Sequence, residues 1–354
     1  MNRQLTMNNN FRDIRLLQRI ALFVCCFALI AGQARTEESK EQTEPDQQTV
    51  TEHNPIFPGK CADPEVLFSR KTGKVYVYPT SDKNGFCVYS SDNLVDWDYN
   101  GLVLKNEDIT WGNKDFWAPS IIEKEIDGQF KYFFYFCADL KIGVATGDDP
   151  TGPFVDSGQP LINSALHPEG VFGIEIDPYV FSDPVSGKNY LYWGNSYLAV
   201  AELNADMISV NRETIRLITP TNFFEGTYVF YRNGRYYLTW SKNDTRSVDY
   251  QVWVATSDSP LGPFVSPEKD TVILSKIPEQ GIYGPGHHSF LFLPGSDKQY
   301  IFYHRLCTPL NPGSWDRETC IDLFYFNEDG SIKPIIPTRQ GISQPVKLPE
   351  LPDK

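Results

Sequence analysis

The sequence predicts an all-β fold, a single five-bladed β-propeller, on three observations. A strand–turn–strand unit recurs five times between Asp63 and Arg305. The units begin at Asp63, Ala118, Asp177, Glu225 and His287, 48 to 62 residues apart, which is the length of a four-stranded blade. No stretch of helix length carries an apolar stripe, while aromatics make up 14 % of the chain beside 26 Pro and 25 Gly, a composition of short strands and turns. A β-helix would have shorter coils. An array of separate domains of this size could not bury a core in each.

The elements follow in chain order. Residues 1–34 read as an export signal, with Arg12, Arg15 and Arg19 ahead of an apolar run from Ile20 to Ala31 and small residues at Gly32 and Ala34. That run is well short of the ~20 residues a membrane span needs, so no span is expected. Cys25 and Cys26 lie inside the run, with Val24 before them and apolar residues after. This fits a lipoprotein cysteine poorly, and a periplasmic or extracellular protein is the expectation, with a lipid anchor as the alternative. Residues 35–53 are rich in Glu and Gln without apolar periodicity and read as a solvated tether. The propeller is expected over 54–354.

Each unit is a short apolar run, a polar turn with Gly, then an aromatic run. They are DPEVLFSRKTGKVYVYPT (63–80), APSIIEKEIDGQFKYFFYFC (118–137), DPYVFSDPVSGKNYLYWG (177–194), EGTYVFYRNGRYYLTWS (225–241) and HHSFLFLPGSDKQYIFYHR (287–305). A third run often follows, as in FCVYSSD and YQVWVATSD, and TGPF (151–154) and LGPF (261–264) close two units alike. Five Cys remain beyond the signal, too few and odd in number for a disulfide framework. Cys307–Cys320 or Cys61–Cys87 could pair in an oxidising compartment, or all could be buried thiols.

The formal charge of -13 excludes nucleic acid as a partner, because phosphate binding needs a basic surface. No phosphate loop, nucleophile elbow or Cys/His zinc spacing is present. The innermost strands of a propeller line its channel, so the first residues of the five units meet at one axis. Four of these, Asp63, Asp177, Glu225 and His287, are titratable. The competing reading makes Asp-Pro and Glu-Gly ordinary turn residues. Three carboxylates at the mouth of a funnel suit glycoside cleavage. An inverting enzyme needs a carboxylate base for water and a carboxylic acid for the leaving oxygen, roughly 6.5–9.5 Å apart. A third carboxylate raises the acid's pKa by repulsion. Trp117 and Trp193, beside inner-strand positions, are candidate sugar platforms. Packing between blades is the alternative for Trp193, and the stronger reading for Trp240 and Trp253.

The segments CADPEV with Asp63, FWAPS with Trp117, IEIDPYVF with Asp177, FEGTYVFYRNGRYYLTWS with Glu225, GPGHHSF with His287 and FYHR with His304, in this order, resemble glycoside hydrolase family 43. The likeness spans about 54–340. It implies a five-bladed propeller with Asp63 as general base, Glu225 as general acid and Asp177 as the carboxylate that orients the acid and tunes its pKa. It implies no required cofactor, with a calcium ion or ordered water on the axis near His287, for which His288 is the adjacent competitor. It places His304 and Arg317 (in WDRETC) in the substrate site, beside the platforms read above at Trp117 and Trp193. The expected activity is an inverting exo-glycosidase on plant-type polysaccharide or its oligosaccharides, releasing α-L-arabinofuranose or β-D-xylose. A galactan- or galactofuranoside-active member is the nearest alternative. A retaining fructan hydrolase would need an Arg-Asp-Pro stabiliser where Ile176-Asp177-Pro178 stands. A carbohydrate-binding propeller without activity would have no need for three axial carboxylates. A monomer is expected.

Overall fold

The computed structural model describes residues 51–351 apart from Asp270. The expected export signal and all of the tether before residue 51 lie outside the described residues. Among the described residues, nineteen strands form five antiparallel sheets. Blade one is β1 (Glu65–Phe68), β2 (Val75–Tyr78), β3 (Gly85–Ser91) and β4 (Asp98–Lys105). Blade two is β5 (Trp117–Ile126), β6 (Gln129–Ala138), β7 (Lys141–Gly147) and β8 (Val155–Asp156). Blade three is β9 (Tyr179–Ser182), β10 (Asn189–Trp193), β11 (Ala199–Glu202) and β12 (Arg216–Leu217), and blade four is β13 (Glu225–Arg232), β14 (Arg235–Lys242), β15 (Gln251–Ser257) and β16 (Val272–Leu274). Blade five has three strands, β17 (Gly286–Phe292), β18 (Gln299–Leu306) and β19 (Arg317–Phe324). The described helical residues are confined to short 3₁₀ turns, and no described helix is long and apolar enough to cross a membrane.

The aromatic runs of the sequence become the wedges between blades. Phe134 of blade two meets Tyr78 and Phe86 of blade one at 5.8 and 5.3 Å between ring centroids. Tyr179 of blade three meets Tyr228 of blade four at 4.4 Å, and Phe230 meets Phe290 of blade five at 5.5 Å. Each such pair adds about 0.5–1.5 kcal/mol beyond its buried area. Trp193 and Trp240 are fully buried in these wedges.

The ring closes on its N-terminal side. Backbone N–H groups of Ile56 and Cys61 donate to Thr319 O and Arg317 O, each 2.9 Å, so this segment runs along β19 where a fourth strand would lie. The side chain of Asn54 completes the seam. Its Oδ1 accepts from Ile321 N (2.9 Å), and its Nδ2 donates to Ile321 O (2.9 Å) and Thr338 O (3.0 Å). Buried Arg305 bonds Glu318 at 2.7 Å and donates to Asn54 O at 3.2 Å. The five Cys expected to pair or stay buried form no disulfide; four are buried and Cys307 is half-buried.

The inner strands share one backbone feature. Asp63 (φ 53°), Ala118 (φ 44°), Asp177 (φ 56°), Gly226 (φ 63°) and His287 (φ 43°) all take the left-handed conformation. In blades two, four and five the register slips by one residue just after it, a bulge that turns the strand start toward the axis. This corrects the repeat's phase: Gly226, not Glu225, is the equivalent of Asp63 and Asp177. A Cβ at Gly226 would lie 3.3 Å from the His287 ring, so blade four carries its carboxyl one position earlier. Trp117 is the blade-two residue in that earlier position.

Candidate active site

A pocket of about 290 Å³ opens at the axial end where these strand starts converge. Its floor carries Asp63, Asp177, Glu225 and His287, and its walls carry Trp117, Leu140, Ile174, Ile176, Phe224 and Trp315, with Asn195, Asp244, Thr245 and Arg317 supplying polar groups. A larger groove of about 730 Å³ runs between residues 294–300 and the tail at 341–350. It contains none of the axial carboxylates, so volume does not mark the site here.

Asp63 is 5 % exposed and heavily bonded. Arg317 Nη1 donates to its Oδ1 at 3.0 Å, the Thr80 hydroxyl donates to Oδ2, and His287 Nδ1 lies 3.3 Å from Oδ1. Burial alone would raise its pKa, but the charges of Arg317 and His287 and the contact with His304 outweigh it and hold the carboxyl well below the usual range. It is a carboxylate at neutral pH.

Glu225 is treated in the opposite way. Tyr250 Oη donates to Oε1 and Asn195 Nδ2 to Oε2, both at 2.8 Å. Burial raises its pKa to about 7 against the bond from Tyr250, and the charge of Asp63 adds to the rise. Asp177 accepts from Gly226 N at 3.0 Å. Its carboxyl sits well above the usual range, through burial first and then the charges of Glu225 and Asp63. One carboxylate and a pair that retains protons near neutrality share the floor, which is the division of labour that acid–base chemistry requires.

Of the other sequence candidates, Trp117 lines the pocket and stacks with Trp315 at 6.4 Å between centroids, 20° from parallel. Arg317 reaches the floor through Asp63 and Thr245. Trp193 does not line the pocket; it is 0 % exposed between blades two and three, because its strand position faces the wedge. His304 is also 0 % exposed and cannot touch substrate; it lies behind Asp63, whose backbone N–H donates to its Nδ1 at 3.2 Å.

His287, the expected neighbour of an axial calcium or water, sits among the floor carboxylates. Its Nδ1 points at Asp63 and, at 3.9 Å, at Asp177. The group Asp177, Glu225 and His287 has ligand atoms within 4.8 Å of one another and could hold a metal ion, the Glu225 oxygens each keeping a lone pair beside the bond they accept. Beneath lies an axial chamber of about 10 Å³ reached by Glu65, Thr227 and His288. His288 bonds Thr239 through Nε2 at 2.7 Å and leaves Nδ1 without a partner. Burial pushes Glu65 up to about 8, so it is a neutral acid. That space has room for about one water.

Sequence reasoning missed Tyr250, Asn195, Thr245, Thr80 and Trp315. Three of these lie in loops after second strands: Thr80 follows β2, Asn195 follows β10 and Thr245 follows β14. The antiparallel pairing of Glu225 with Ser241 and Gly286 with His304 shows why such ends meet the axis. Their signal was positional, with no motif to announce it.

The sequence matches the family described as "Glycosyl hydrolases family 43" over residues 52–332. The chain belongs to that family. A β-D-galactofuranosidase of Aspergillus niger is 38 % identical over 309 residues, covering 82 % of this chain and 86 % of the relative. A xylosidase/arabinosidase of Bacteroides ovatus is 28 % identical, covering 80 % and 97 %. Among solved structures, a glycoside hydrolase family 43 arabinoxylan arabinofuranohydrolase from Bacillus subtilis, in complex with cellotetraose, aligns with TM-score 0.71 at 28 % identity, covering 83 % of this chain and 69 % of that one. This family 43 member is therefore a hydrolase of O-glycosidic bonds that acts with inversion and needs no cofactor for catalysis.

Proposed function

We propose that this hydrolase removes single terminal furanose residues, α-L-arabinofuranosyl or β-D-galactofuranosyl, from polysaccharide side chains or oligosaccharides. The observation that carries this is the small pocket with its charged floor. At about 290 Å³ it is at the lower end of ligand-pocket sizes and suits one sugar ring rather than a run of them. The two sugars share the configuration of every ring carbon and differ by one exocyclic hydroxymethyl group, so one pocket can serve both. The similarity to a β-D-galactofuranosidase and to a xylosidase/arabinosidase supports that class.

In this reading Asp63 is the general base. Held ionised by Arg317 and His287, it takes a proton from a water attacking the anomeric carbon. Glu225 is the general acid, protonated in part near pH 7, and gives its proton to the leaving oxygen. Asp177 keeps the acid's neighbourhood proton-rich. Trp117 and Trp315 flank the mouth, where the aglycone leaves. All these groups come from one chain, so a monomer suffices. The axial position is read as a water site, with calcium not required. The character of residues 1–34 supports export.

The test is a panel of 4-nitrophenyl glycosides: α-L-arabinofuranoside, β-D-galactofuranoside, β-D-xylopyranoside and β-D-galactopyranoside. Turnover of the two furanosides is expected, with NMR showing an inverted first-formed anomer. Turnover of the xylopyranoside alone would overturn the furanose assignment, and a retained anomer the roles of Asp63 and Glu225.

A further inference from the structure

Strands β6 and β7 are joined by a two-residue turn. Ala138 pairs with Lys141, and Asp139 (φ 49°) and Leu140 (φ 55°) between them are both left-handed. A turn with two left-handed residues matches the twist of its strands, and its second position strongly favours Gly. Two other hairpins of this chain follow that rule, with Asp127-Gly128 between β5 and β6 and Asn233-Gly234 between β13 and β14. Leu140 breaks it. In the left-handed conformation a Cβ crowds the following carbonyl oxygen, and a bulky residue there is an outlier.

Elsewhere burial compensates for the same conformation. Leu94 (φ 63°) and Met207 (φ 62°) are 1 % and 2 % exposed, and each sits in a hydrophobic cluster. Leu140 has no such place. It is half-buried, belongs to no hydrophobic cluster of the described residues, and lines the active-site pocket. The turn is held from outside, where the Asp139 N–H donates to Lys114 O at 2.9 Å. A strained residue kept at a binding surface without a core to pack into marks a functional position.

The pocket wall shows what that function is. Asp244, Thr245 and Arg317 bring polar groups from blades four and five. Leu140, from blade two, stands with Ile174 and Ile176 ahead of blade three, and Asn195 on that side is committed to Glu225 and Ser196. A furanosyl group is divided in the same way. Its O2 and O3 lie on one edge of the ring, and C4 with the exocyclic carbon lies on the other. A hydroxyl buried against an apolar wall has no partner, so O2 and O3 turn to the polar side and the exocyclic chain meets Leu140.

We propose that Leu140 is a specificity-determining residue that limits the exocyclic chain the pocket accepts, favouring the hydroxymethyl group of arabinofuranose over the dihydroxyethyl group of galactofuranose. This rests on the reading of the pocket as a furanosyl site. The turn holds Leu where Gly is preferred, and the side chain closes that end of the pocket.

Gly at this position removes the side chain and supplies the residue the turn favours. Leu140→Gly is expected to keep the melting temperature at or above that of wild type. Its kcat/KM ratio of 4-nitrophenyl β-D-galactofuranoside to α-L-arabinofuranoside should rise by on the order of tenfold. Leu140→Phe, with the same backbone conformation and a larger side chain, should lower that ratio. A ratio that stays in place in both variants would overturn the proposal. A melting temperature of Leu140→Gly lowered by several degrees would make Leu140 a packing residue and overturn it as well, and that measurement needs no substrate. If wild type cleaves only pyranosides, the furanose assignment falls. The ratio of β-D-glucopyranoside to β-D-xylopyranoside, two sugars that differ by an exocyclic hydroxymethyl group, then decides on Leu140 by the same criterion.

Discussion

Replacing Tyr250 by Phe isolates what tunes the proposed acid. Tyr250 is buried, its ring lies parallel to His304 at 5.4 Å (4°), and its hydroxyl donates to Glu225 Oε1 at 2.8 Å. Phe keeps the ring and the stacking and removes the donor alone. A hydrogen bond to a charged group is worth about 1.5–3 kcal/mol, and part of it survives when the acceptor is neutral. A difference of about 1.4 kcal/mol between the two protonation states corresponds to one pKa unit. The bond favours the carboxylate, so its loss favours the acid. The Glu225 pKa should rise from about 7 to about 8. The alkaline limb of kcat/KM against pH should therefore move to higher pH by about one unit. A weaker acid also donates less readily, so the plateau should fall for oligosaccharides and change little for a 4-nitrophenyl glycoside. The assay is the full pH profile on both substrate types, with melting temperature as the control for folding. An alkaline limb that stays in place, or moves to lower pH, would refute the assignment of Tyr250 as the tuning donor and of Glu225 as the titrating acid.

Two further predictions concern the acid itself and the ring closure. Glu225→Gln should abolish cleavage of unactivated linkages, by on the order of 10²–10⁴ as expected for a lost general acid, while an aryl glycoside with a good leaving group loses far less; near-normal cleavage of arabino-oligosaccharides would remove Glu225 from that role. Asn54→Ala removes the three hydrogen bonds described at the seam, a cost of about 2–4 kcal/mol, so the melting temperature should fall by about 4–8 °C; an unchanged value would show that packing such as that of Trp97 on Phe302, 5.9 Å between ring centroids, closes the ring without it.

Much of this was legible in the residues because a propeller repeats its unit. The strand–turn–strand pattern located all five inner strands, and Asp63, Asp177 and His287 stand at the left-handed starts that the pattern marked. The phase slipped at blade four. Glu225 and Gly226 both look like a strand start, and the bulge that separates them is a backbone property with no letter of its own. Trp193 misled for a related reason. An aromatic beside an inner strand looks the same whether it faces a sugar or a neighbouring blade, and only the pleat decides. His304 was found by its motif but placed against the sugar, whereas a histidine with no exposed surface acts on Asp63 instead. Tyr250 and Asn195 were not legible, since they reach Glu225 from loops whose lengths vary freely between units.

The left-handed starts explain why chemistry gathers at this end of the axis. Ala118 adopts the conformation without a functional side chain, at roughly 1–2 kcal/mol for a residue with a Cβ. The conformation therefore belongs to the blade, and the chemistry makes use of it. What it supplies is a backbone N–H freed from the strand ladder and aimed at the preceding blade. Ala118 N donates to Thr80 Oγ1 at 2.8 Å, Gly226 N to Asp177 at 3.0 Å, His287 N to Ser241 Oγ at 2.8 Å, and Asp63 N to His304 at 3.2 Å. Thr80 in turn donates its own hydroxyl proton to Asp63. The site is thus wired from blade to blade, and the bond from Asp63 crosses the seam where the ring closes. Asp63 stands on blade one, while Arg317, His287 and His304, which fix its charge and position, all stand on blade five. The proposed base is assembled only when the seam at Asn54 is shut. Loosening that seam should therefore reach kcat at temperatures below the melting transition, whereas a defect of equal size between blades two and three should not.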